Sequence, residues 1–215
     1  MPGLVNINHT LRAAVRQHLM GLVDLDRSPA EAVTLAAGVA SRAGGSWLAD
    51  GFAPGQELIV AGWGGEQIAQ LVGVEPTRLI LEGIAGNGLG TQPRFMVRLP
   101  QSIAWEGAAT FYPAPGRPFV AEVLQSASKT LLSIANGATR TIEHRWLASF
   151  SFNYPAERGT LALERMTGAA LAHFAPGSAW GGPAVIQGGS LSPLLRDGAW
   201  IGQAVSIELL AFTTD

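Results

Sequence analysis

Between residues 5 and 25 the apolar positions recur at helical spacing. At roughly 100° per residue, Ile7, Leu11, Ala14, Val15, His18, Leu19, Leu22 and Leu25 share one face. Arg12, Arg16, Gln17 and Asp24 share the other, and Asn6 or Asn8 is placed to cap the start. His18 falls in the middle of the apolar face. It reads first as a core or subunit-interface histidine, with a ligand or pH-switch role as the alternative.

From 28 to 99 the period shortens. Apolar runs at Val33–Val39, Glu57–Ala61, Ile68–Val74, Arg78–Leu81 and Arg94–Leu99 are separated by Gly44-Gly45, Ala53-Pro54-Gly55, Gly62 to Gly65, Glu75-Pro76-Thr77 and Gly86-Asn87-Gly88. Several short strands at this spacing predict a small β-sandwich or barrel. From 101 the pattern becomes mixed. Strands are predicted at Ile103–Gly107, Phe119–Gln125 and Thr141–Tyr154, a helix at Thr160–Phe174, and strands near Pro183–Gln187 and Trp200–Ala211. In the longest strand His144, Trp146, Ala148, Phe150, Phe152 and Tyr154 alternate with mostly polar positions, which predicts one heavily aromatic face. Leu163, Met166, Thr167, Ala170, Leu171 and Phe174 form the helix face that should cover it. Ser126–Thr139, with Asn136-Gly137, reads as turn, as does Arg196-Asp197-Gly198.

The expected fold class is therefore α+β: a mixed or antiparallel sheet packed by two helices, built from 1–27 and 100–215. An all-β module is inserted at 28–99.

Composition bears on surface rather than fold. Charged residues make up 14% of the 215, against about 25% in an average soluble domain. A chain so poor in charge is expected to cover part of its exterior with copies of itself or other partners; a GC-rich genome also explains it, since Lys129 is the sole lysine. The net charge of −2 and the lack of a basic run argue against nucleic-acid recognition. Cysteine is absent, which removes disulfides and thiolate chemistry. No secretory signal or membrane-length apolar run is visible, so no membrane partner is expected.

The segment IAWEGAATFYPAPGRPFVAEV (Ile103–Val123) resembles the opening sheet segment of the tail terminator-like proteins of long-tailed bacteriophages, with its Trp-Glu strand, aromatic-Pro loop and Gly-Arg-Pro-aromatic lead into the next strand. PAERGTLALERMTGAALAHFAPG (Pro155–Gly177) resembles that family's Gly-Thr-led helix, and DGAWIGQAVSIEL (Asp197–Leu209) its closing Trp-led strand. The likeness covers the first helix and 101–212. GSWLADGFAPGQELIVAG (Gly45–Gly62) looks like a β-module of phage virion proteins, and the insert is a departure from the simple family pattern.

The resemblance implies a structural virion protein at the head–tail junction, assembled in the host cytoplasm. It implies a ring, usually of six copies, that caps the tail tube, stops its growth and receives a head-completion (neck) protein. The implied partners are the chain itself, the tail tube protein and that neck protein, with DNA passing through the lumen unread. The expected assembly contacts are Trp105, Arg117, Phe119, Arg165, Gly168 and Ala172. Trp105 also reads as a core aromatic, and the Gly168–Ala172 face as a plain exposed one.

The competing reading is a β-module that binds a glycan or host surface through Trp47, Phe52 or Trp63. An enzyme is not expected, and neither cofactor nor metal. Ser126–Lys129 has the Ser-x-x-Lys spacing but strand and turn flanks instead of a helix start. Gly86–Gly90 is glycine-rich with no helix following. His9, His18, His144 and His173 are scattered without metal-ligand spacing. Glu106 and Glu122 flank one loop and can face each other, but default to solvated or interface carboxylates.

Overall fold

The computed structural model describes residues 4–63, 65–90, 92–99, 102–108, 110–134, 140–178, 180 and 182–214, without the side chains of 4–7, 132–134 and 214. It contains two sheets and two α-helices. The class is α+β in the broad sense, with strands predominating.

Helix α1 (Leu4–Met20) buries Leu11, Val15 and Leu19 completely. It ends earlier than the periodicity predicts. Gly21 and Leu22 turn back on the His18 and Leu19 carbonyls, and Val23–Arg27 becomes strand β1. Leu25 suits either element, and pairing with a strand more than 60 residues on decides the matter. Asn8 is not a cap: it lies within the helix, where its Oδ1 accepts the Trp146 indole N–H at 3.0 Å. The Asn6 side chain lies outside the described ones.

The strands β1, β2 (Val33–Ala36), β3 (Val39–Arg42), β4 (Glu57–Ala61), β5 (Gln67–Val74), β6 (Arg78–Glu82), β7 (Gly88–Gly90) and β8 (Arg94–Arg98) form an antiparallel sheet in the order β1-β8-β4-β5-β6-β3-β2-β7. It thus starts at Val23, ahead of the expected boundary at 28. The run expected as one strand, Val33–Val39, folds back on itself. Ala37 and Gly38 both take positive φ (48° and 76°), the two-residue hairpin geometry that matches strand twist. A Cβ on Gly38 would meet the Leu81 carbonyl oxygen at 2.6 Å, so only glycine fits there.

The second sheet runs β12-β14-β11-β10-β9, comprising β9 (Ser102–Ala104), β10 (Phe119–Ile134), β11 (Arg140–Pro155), β12 (Val185–Leu191) and β14 (Trp200–Thr214). A short β13 (Leu195–Asp197) joins β14. Among the described residues only β9 and β10 pair in parallel. β10 continues well past Gln125, correcting the expected Ser-rich turn: from Ser126 to Ile134 it pairs with β11. Asn136-Gly137 lies outside the described residues.

Helix α2 (Leu161–His173) covers the aromatic face of β11 as its pattern predicts. Phe150, Phe152, Leu163, Met166, Ala170 and Phe174 are all buried, and the Phe150 and Phe174 rings stack at 5.5 Å. The buried apolar residues of both sheets and both helices form one continuous cluster. Among the described residues no helix is long and apolar enough to cross a membrane.

Polar ties fix α1 in place. Glu122, on the covered face of β10, has a side chain with no exposure, and Arg16 grips both its oxygens at 2.6–3.1 Å. Arg12 holds Glu106 at 2.7 Å, and the second Glu106 contact is the Leu124 N–H at 2.7 Å. That N–H, then the Arg12 guanidinium, hold the Glu106 carboxyl below its ordinary range.

Removing one member of a buried ion pair leaves the other uncompensated. Arg16→Leu should therefore cost on the order of 2–3 kcal/mol, whereas Arg16→Leu with Glu122→Leu should recover much of that loss. Urea midpoints at unchanged slope measure both.

Candidate assembly surface

Both helices lie on the face of the six-stranded sheet that carries Trp146, Phe150 and Glu122. Among the described residues no helix lies on the opposite face. Its cross-strand rows follow from the register: Ala121–Ser151–Ala204, then Val123–Ser149–Ser206–Ser190, then Gln125–Leu147–Glu208. Small and polar side chains dominate the rows of this face, with Val123 and Leu147 among them, because successive side chains of a strand point to opposite faces. Its charges nearly cancel, with Arg145 paired to Glu143 at 2.7 Å and Glu208 nearby.

The six expected contact residues fall in separate places. Phe119 lies half-buried at one end of the bare face, against Phe111 (5.5 Å) and Trp200 (5.1 Å). Arg117 is exposed at the tip of the preceding turn, where its N–H donates to the Ala114 carbonyl. Its guanidinium has no partner among the described residues. Beside it Tyr112 is 84% exposed, a signal sequence reading missed.

Trp105 is half-buried and carries the Arg16 guanidinium over its ring at 4.8 Å, so its role within the subunit is to seat α1. Arg165 is likewise occupied. It pairs with Asp24 of β1 at 3.3 Å and ties α2 to the eight-stranded sheet. Gly168 and Ala172 are exposed on α2, beside an apolar groove completed by Leu171, Phe174, Gly188 and Gly189.

The platforms proposed for glycan stacking fare differently. Trp47 is fully buried and Phe52 nearly so, packed with Phe95 in the core. The Arg42 guanidinium lies over the Trp47 ring at 4.0 Å and pairs with Asp50 at 2.7 Å. Trp63 is partly buried against Phe95, with Gly90 beneath its ring. Two of the three rings are therefore core residues, because the turns that present them fold inward.

Ser126–Lys129 lies in extended β10, without the helix its chemistry requires. Gly86–Gly90 leads into β7. Glu106 and Glu122 do come together, as the sequence allowed, but through Arg12 and Arg16. Among the described residues no group of three or more His, Asp or Glu is placed to hold a metal ion.

Sequence spacing concealed a histidine pair. His18 and His173 stack at 4.0 Å, and each ring Nε2 donates to the other residue's backbone carbonyl, at 3.0 and 2.8 Å. A carbonyl only accepts, so both rings carry their proton on Nε2. Phe174 and Trp180 pack edgewise on His18. Burial pushes the His18 pKa down, opposed by the bond to the His173 carbonyl, with the His173 charge lowering it further.

Comparison with known proteins finds no matching family model and no matching curated protein.

The His18 pKa lies below its ordinary 6.5 when folded. The unfolded chain then binds the proton first, so this contribution is complete above 6.5 and is lost as pH falls below it. The melting temperature should drop between pH 7.5 and 5.5, and His18→Gln should flatten that slope.

Proposed function

We propose that this chain is a structural subunit of a bacteriophage tail, a terminator that assembles as a ring on the head-proximal end of the tail tube. The observation that carries this reading is the helix-free face of the six-stranded sheet: continuous, nearly neutral, and largely small or polar apart from Val123, Leu147 and the exposed Phe212, with both helices on its far side. Such a face suits the wall of a conduit, because a channel that gripped phosphates would stall the DNA passing through it. The Ile103–Val123 resemblance supports the same reading, since that segment supplies β9, the exposed Tyr112–Arg117 turn and the start of β10.

The mechanism is geometric. A head-to-tail contact whose rotation closes makes a ring and not a filament. One rim of the ring matches the last ring of the tube and blocks further addition. The other rim receives a neck protein. The partners are thus further copies of this chain, six in a ring of the family's usual kind, together with the tube and neck proteins. The eight-stranded sheet sits outside the channel wall, joined to the ring body through the shared core. Its role is load-bearing contact with neighbours in place of glycan capture, since Trp47 and Phe52 are enclosed. The work is mechanical and the subunit is read as non-catalytic.

Native mass spectrometry and negative-stain imaging test the proposal. A closed ring that halts elongation when added to polymerising tube protein is the expected result. A chain that stays monomeric at high concentration and leaves tube growth unchanged overturns it.

A further inference from the structure

The two ends of the six-stranded sheet are open. β10 is paired by β9 only from Phe119 to Ala121, and Leu124 N–H is taken by Glu106. From Gln125 to Ile134 its outer edge has no strand partner among the described residues. At the other end β12 pairs with β14, and among the described residues its far edge has no strand partner from Val185 to Leu191. Unpaired edges are templates for another strand, and monomers usually blunt them with charge or proline. β12 has neither, and the open part of β10 has one charge, Lys129. Apolar side chains stand exposed beside both edges: Leu131 on β10, Val185 and Leu191 on β12.

We infer that the open edge of β10 in one copy pairs with the open edge of β12 in the next, joining the sheets of neighbouring subunits by main-chain hydrogen bonds. The occupant of each edge is a second copy of this chain, because the two edges lie at opposite ends of one sheet and supply both halves of a head-to-tail contact. An edge pairing with itself would leave the other open. Both strands are irregular in register, β10 at Ser126–Ser128 and again at Leu131–Ser133, β12 at Ile186–Gly188. Bulges add twist and restrict which strand fits alongside. This seam deepens the ring reading and rests on it for closure.

The absence of cysteine makes the seam directly testable. Exposed positions Ser126, Ser128 and Thr130 on β10, and Gln187 and Ser190 on β12, are each changed to cysteine in the full chain. Every β10 variant is mixed with every β12 variant under mild oxidation. The expected result is disulfide-linked dimers for at least one mixed pair, with a ladder of higher species when both cysteines share one chain. Leu131→Lys should weaken association at least tenfold while leaving the melting temperature unchanged. Rings without any mixed cross-link, or cross-links only between like positions, overturn the seam while the ring reading stands. Cross-linked open chains that never close uphold the seam and overturn the ring. Monomers with no cross-link overturn both.

Discussion

The placement of α1 depends on one buried carboxylate. Glu122 faces the covered side of the sheet with its side chain out of solvent, and an uncompensated charge there would cost several kcal/mol. Arg16 supplies the match in a two-pronged grip, and its position on α1 sets the rotation of the whole helix. With Arg16 in place, Leu11, Val15 and Leu19 turn into the core, Arg12 reaches Glu106, and Trp105 slides under the Arg16 guanidinium. Glu106 in turn ends the open stretch of β10 by taking the Leu124 N–H. A charge pair thereby determines where the sheet edge becomes available.

The second constraint joins the two sheets. Asp24 reaches Arg165, and His18 and His173 exchange carbonyl bonds, so each link between the start of the chain and α2 crosses about 140–155 residues. Tyr154 is buried beside Gly55 of the other sheet, and burial drives its hydroxyl pKa well upward, with the Glu57 and Asp24 charges adding to the effect. The eight-stranded unit accordingly shares its hydrophobic cluster with the rest of the chain.

Much of this was legible in the residues wherever periodicity and burial coincide. The aromatic alternation of His144–Tyr154 and the apolar face of Leu163–Phe174 placed sheet and helix against each other. Local composition misled where pairing overrides propensity. Ser126–Ile134 looks like a turn but is held extended by β11, and Leu22–Leu25 looks helical but leaves the helix to pair with β8. Ala37-Gly38 has the hairpin glycine but alanine where asparagine, aspartate or glycine is usual, and so hid a strand reversal. Of the expected contacts, Arg117 and the Gly168–Ala172 face are exposed, whereas Trp105 and Arg165 are engaged within the subunit. No spacing rule could have paired His18 with His173, or revealed that β10 beyond Leu124 and the far edge of β12 lack a strand partner among the described residues, since both facts are properties of topology.

The central claim is that subunits meet edge to edge along this sheet. Hydrogen exchange compared between dilute and assembled protein tests it most directly, because edge amides that gain a strand partner gain protection. The account predicts new protection concentrated in Gln125–Ile134 and Val185–Leu191, with the exposed side of α2 unchanged. Protection that instead appears on Gly168–Ala172 and leaves both edges exchanging freely would contradict it.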